Sequence, residues 1–323
     1  MIALSFPTAG PPPPVLEIIW ITLPLYLLIL SGYAAFRWRY LVTDGLGALG
    51  AFVVRVSLPA LIFQAIATPR EGVGFEWSFL LGYLGASFAG MLIGRAIMRR
   101  AFDQPPAISW VFGLGMSSSN TGFMGFAITS LVFGPEAAAA FAMIIIVESA
   151  IMVPFAMVAA NVAASPQADW KALAVRSLSN AARNPLLLAV ALAVAARLVE
   201  FTPPEPLERA ISMMAAVAAP VALFAVGGTV ARFPISGAWR RSIAISAFKL
   251  LAHPALTALA FWALPGVSPG LAAIGIANAA MPMLSLFPLL GQPHGGEQVC
   301  ATSLILSTAA SFLTISLLVG YLA

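Results

Sequence analysis

Charge is scarce in this chain. Asp, Glu, Lys and Arg together make up 9% of its 323 residues, where soluble globular proteins carry about a quarter. With 61% of the residues hydrophobic, no water-facing surface could be assembled around the apolar mass, and a soluble fold is excluded. Cysteine is nearly absent as well. The single Cys300 excludes a disulfide framework and a cysteine-ligated metal site. Neither of the two histidines stands in an HExxH pattern, and no nucleophile and base fall in a recognisable catalytic motif. No metal or other cofactor is therefore expected. The net charge of +4 is spread singly or in pairs at the ends of apolar runs, which reads as a topology signal and not as a nucleic-acid surface. Residues 1–14 lack a basic start and a small-residue cleavage site, so they do not read as a removable signal peptide.

What is present is apolar length. A spanning helix needs about 20 apolar residues, and breaks at charged, Pro-rich or Gly-rich points leave runs near 15–36, 45–68, 77–98, 107–132, 137–161, 184–201, 207–231, 239–263, 269–291 and 298–322. Ten spans put both termini on one side. Beside the loops after spans 1, 3, 5 and 7 lie Arg37, Arg39, Arg95, Arg99, Arg100, Lys171, Arg176, Arg183, Arg232, Arg240 and Arg241. The opposite side has Arg70, Arg197 and Arg209. Positive charge stays in the cytoplasm, so both termini are expected outside it.

The spans fall into two sets of five related by a constant shift. Pro24 matches Pro185, Pro59 matches Pro220, Phe63 matches Phe224 and Glu136 matches Glu297, each 161 residues apart. Two proline coincidences alone are near the chance level; the agreement of whole span boundaries is the stronger sign. An odd number of spans per unit inserts the second unit upside down, the inverted-repeat plan of many secondary transporters. The expected organisation is an N-terminal segment 1–14, a first repeat 15–161, a linker 162–175 and a second repeat 176–322.

Span 4 carries Ser119, Asn120, Thr121, Gly122 and Gly125 in the middle of an apolar run, and span 9 answers with Asn278, Met281, Pro282 and Ser285. Lipid cannot satisfy an interrupted backbone, which is tolerated only against protein or a wet cavity. Matching breaks in two repeats mark a substrate site, and these eight residues other than Gly125 are the candidates for it. Close packing of small residues or a helix cap from Asn120 is the structural alternative. Charged or imidazole side chains well inside the spans are few: Arg55, Glu148, Lys249 and His253. Charge at that depth faces a cavity or a partner, so these four are the candidates for ion or proton coupling. An Arg55–Glu148 ion pair and a packing role for His253 are the alternatives.

Several stretches carry a resemblance: LPLYLLILSGY in span 1, VSLPALIF in span 2, NTGFMGFAI in span 4, NPLLLAVAL in span 6 and APVALFAVGG in span 7. In this order, over nearly the whole chain, they resemble the bacterial branch of the auxin efflux carrier family, whose fold is similar to that of the bile acid symporters. The resemblance implies an all-α integral membrane protein of the plasma (inner) membrane, with helices 4 and 9 broken where they cross. It also implies a scaffold of spans 1, 2, 6 and 7, a moving part of spans 3–5 and 8–10, and a homodimer joined through spans 2 and 7. The expected activity is elevator-type transport of small organic anions such as auxin, malate or malonate, with Asn120 as the crossover asparagine. Span 9 departs from the symporters in holding Pro282 and no acidic residue, which weakens a sodium site. An intramembrane enzyme, a sodium-coupled carrier of the bile acid symporter kind and a sensor without transport are the competing classes.

Overall fold

The computed structural model describes residues 15–42, 44–67, 75–165, 167, 169–233 and 238–322. The N-terminal segment 1–14 and Arg70, both used above, lie outside them. The described residues form helices and short connections, with no strand beyond one isolated bridge. In chain order the helices are α1 (Val15–Arg37), α2 (Asp44–Ala67), α3 (Trp77–Arg100), α4 (Pro106–Ser117), α5 (Thr121–Phe133), α6 (Ala137–Ala164) and α7 (Trp170–Ala182). They continue with α8 (Pro185–Leu198), α9 (Glu205–Arg232), α10 (Trp239–Ala263), α11 (Pro269–Ala279), α12 (Phe287–Gly291) and α13 (Glu297–Leu322).

Proline sets both the starts and the irregularities of these helices. Pro106, Pro185 and Pro269 stand in the first turn of α4, α8 and α11, where a missing N–H costs nothing. Asp169 accepts from the N–H groups of Lys171 and Ala172 to cap α7, and Asn184 accepts from Leu186 to cap α8. Inside α2, α6 and α10 the residue just before a proline (Leu58, Val153, His253) donates five residues back, to the carbonyls of Val53, Glu148 and Phe248. The pyrrolidine ring would strike the carbonyl four residues earlier, so the helix opens by one residue into a wide turn. Glu148 and Lys249 sit in two of these turns.

Six helices, α2, α3, α6, α9, α10 and α13, are long and apolar enough to cross a bilayer. The pair α7 and α8, bent by 56°, makes a seventh if counted as one. Length alone therefore supports six or seven crossings among the described residues, where the run of apolar segments led to ten. The difference of three lies in α1, which counts only from Leu23 to Arg37, and in α5 and α11, which are apolar but short because the chain breaks at 118–120 and again at 280–286. Helix α7 begins within the segment read as a linker, at Trp170.

Apolar side chains such as Leu188, Leu192, Leu251, Trp262, Leu313 and Leu317 are exposed, as expected where lipid is the solvent. Helices in lipid gain no hydrophobic drive from touching, so they associate through close packing and hydrogen bonds. Helices α1 and α9 illustrate it. A Cβ on Gly32 would land on the Phe224 carbonyl oxygen, and one on Gly227 on that of Ile29, so only glycine lets these two backbones meet. Helix α2 packs on α8 and on the first half of α9, while α3 packs on α4 and α10.

Candidate functional site

Helix α4 ends at Ser117, and the chain runs extended through Ser118 (φ −121°, ψ 140°) before α5 begins. Its backbone groups find partners in the other break. The Asn120 N–H donates to the Pro282 carbonyl at 2.8 Å, and Ser119 and Met283 form an antiparallel bridge. The two interruptions thus satisfy each other, which is what buried backbone requires away from water. Asn120 also accepts, through its carbonyl, from the N–H groups of Met124 and Gly125. Its side chain caps no helix. Nδ2 instead donates to Ser285 Oγ at 2.9 Å, a second tie between the breaks, so the capping alternative does not hold here.

Beside this junction lies a buried polar network. Glu148, 5% exposed, accepts three hydrogen bonds: from Ser119 N–H at 2.8 Å, from Thr121 Oγ1 at 2.7 Å and from Tyr83 Oη at 3.2 Å. Asn278 sets the direction of two of them. Its Nδ2 donates to Tyr83 Oη and to Thr121 Oγ1, each at 3.1 Å, and each hydroxyl, having accepted, turns its own proton to Glu148. Three donors on one carboxyl group suit an acceptor-only carboxylate. Gly125 makes room for this arrangement, since a Cβ there would overlap Asn278 Oδ1.

Lys249 is fully buried, at 0% exposure. Its Nζ donates to Ser119 Oγ at 3.0 Å and to the Ala279 carbonyl at 2.5 Å, and lies 3.1 Å from His253 Nδ1. Ala279 ends α11, so the ammonium sits at the negative end of a half-helix, where a cation is favoured. His253 Nδ1 also lies 3.2 Å from Ala279 O, and Nε2 lies 3.1 Å from Ser87 Oγ. Ser119 therefore bridges the two charges: its N–H reaches the carboxylate and its hydroxyl takes the ammonium. The neighbouring Ser118 Oγ is buried with no partner among the described residues.

The structure thus gathers Ser119, Asn120, Thr121, Asn278, Pro282 and Ser285 with Glu148, Lys249 and His253. Met281 is buried near them among Met124, Leu223 and Ile315. Gly122 faces Leu58 and Leu186 on α2 and α8. Arg55 is placed elsewhere: it is exposed, in the wall of an apolar groove with Pro59, Phe63 and Leu188. It does not pair with Glu148, whose partners are Ser119, Thr121 and Tyr83. The reason is the helical phase, which turns Arg55 to the outer side of α2, away from buried Val53 and Ser57. Tyr83, Ser87 and the Ala279 carbonyl escaped sequence reasoning. The first two stand four residues apart on one face of α3, a weak polar signal in an apolar span. A main-chain carbonyl leaves no signal at all.

Similarity to known proteins agrees with this picture. Residues 18–319 match the family described as membrane transport protein. A protein of Rhizobium meliloti (strain 1021), provisionally named a malonate transporter, is 31% identical over 310 residues, 95% of each chain. The uncharacterized transporter YfdV of Escherichia coli (strain K12) is 27% identical over 213 residues, 65% of this chain and 67% of its own length. With the match running almost end to end, the chain belongs to the membrane transport protein family, that of the auxin efflux carriers, and is a multi-pass membrane transporter.

Proposed function

We propose that this protein is an elevator-type secondary carrier for small organic anions, dicarboxylates such as malonate among them. The observation that carries the reading is the joining of two interrupted apolar segments over a buried carboxylate–ammonium network. In secondary transporters, half-helix N-termini face anionic substrate groups, and unwound carbonyls and half-helix C-termini hold the coupling cation. Here the positive end of α5 opens at Asn120, Thr121 and Gly122, where the substrate carboxylate would dock with Ser119, Asn278, Met281, Pro282 and Ser285 nearby. Counting α4 with α5, α7 with α8 and α11 with α12 as single broken spans gives ten, arranged as the inverted repeats 15–161 and 176–322. In this reading α1, α2, α7 with α8, and α9 form the scaffold, and α3 to α6 with α10 to α13 carry the crossing.

The cation end is filled by the protein itself. Lys249 Nζ takes the Ser119 hydroxyl and the Ala279 carbonyl, the kind of ligands a coupling sodium would use. This favours a carrier that runs without sodium over one of the bile acid symporter kind, with Glu148, Lys249 and His253 as the groups that respond to the substrate. A homodimer through α2 and α9 and a plasma-membrane location with both termini outside complete the proposal.

The test is uptake of labelled malonate, malate and auxin into proteoliposomes holding the purified protein, in sodium chloride or choline chloride. Uptake above protein-free vesicles that is equal in the two salts is expected. No uptake of any of the three would refute the substrate class, and a strict need for sodium would refute the role given to Lys249.

A further inference from the structure

A second cavity, of about 400 Å³, lies between α6, α7 and the start of α8. Its wall includes Ser149, Met157 and Asn161 of α6 and Arg176, Ser177 and Asn180 of α7. From Ser149 to Asn161 is twelve residues, about 18 Å at 1.5 Å per residue, so the groove follows one face of α6. Its inner end is at Ser149, next in sequence to Glu148 of the buried network. Helix α7 lines the groove from Leu173 to Ala181, and its Arg176 is exposed and is, among the described residues, the only charged side chain in the wall. The other polar groups are amides and hydroxyls, which both donate and accept. Val153, Pro154, Met157, Leu173 and Ala181 supply the apolar part of the wall; in its polar part a small anion finds a guanidinium suited to two-point contact with a carboxylate and hydrogen-bond donors beside it.

We propose that this groove is an anion vestibule, through which small carboxylates pass between the membrane surface and the Glu148 network, and that Arg176 recruits them. The proposal rests on the carrier reading for its substrate class, but the groove can be tested without transport. Cys300 is the one cysteine of the chain and is buried, so the unmodified protein serves as the unreactive blank. Ser149→Cys, with Asn161→Cys as a second position should the first fail to fold, is treated with an anionic and a cationic methanethiosulfonate reagent at low salt. The anionic reagent should react faster. Arg176→Gln should lower the anionic-to-cationic rate ratio by about threefold or more, high salt should do the same, and millimolar malonate should slow the reaction. Failure of both cysteines to react, or a rate ratio unchanged by Arg176→Gln, would overturn the vestibule. Should the rates behave as expected in a protein that accumulates no organic anion, the carrier reading falls and the anion groove stands.

Discussion

Removing the Lys249 ammonium tests whether the two buried charges depend on each other. Lys249→Met keeps the volume and apolar stem but deletes the donor to Ser119 Oγ at 3.0 Å and to Ala279 O at 2.5 Å. It also leaves Glu148, held by three donors, as a buried carboxylate with no cation one residue away. Breaking a buried charge pair from one side costs about 3–5 kcal/mol. Glu148→Gln strands the ammonium instead and should cost a similar amount. The double variant strands neither charge, so its loss should fall short of the sum by more than about 0.5 and up to about 3 kcal/mol, the range of coupling between residues in one network. The assay is reversible unfolding in mixed detergent micelles, followed by helicity, for the four proteins of the cycle. Additive losses, agreeing within about 0.5 kcal/mol, would mean that Ser119 does not connect the two charges.

Three further outcomes are expected. Asn120→Ala, which loses the tie to Ser285, should keep the fold and weaken malonate binding at least tenfold, about 1.4 kcal/mol; unchanged affinity in a folded protein removes Asn120 from the site. Gly125→Ala should destabilise by about 1–3 kcal/mol, because the new methyl collides with the Asn278 amide, while Gly45→Ala, which meets nothing within 4 Å, serves as the neutral control; equal thermal stability of the two would refute the overlap. A reporter fused to Ala323 should be active only outside the cytoplasm, and cytoplasmic activity would reverse the orientation and unseat the ten-span count.

Much of this protein follows from composition, because in lipid every backbone polar group must be satisfied within its own segment. Apolar run length alone dictates a helical membrane protein, and the starts at Pro106, Pro185 and Pro269 follow from proline's missing N–H. The polar interruption at Ser119, Asn120 and Thr121 was legible for the same reason: such residues at membrane depth require a partner. Which partner they take was not legible. Sequence places Glu148, Lys249 and His253 on two different helices at unknown phase, and each wide turn before a proline shifts the phase again. Arg55 marks the limit, since a charge inside a span reads the same whether its helix turns it inward or outward. Only the packed structure brings Ser119 between Glu148 and Lys249 and adds Tyr83, Ser87 and a main-chain carbonyl. Those contacts depend on how α3, α6, α10 and α11 pack together, and close packing of small residues is a property of pairs of helices, which no single segment encodes.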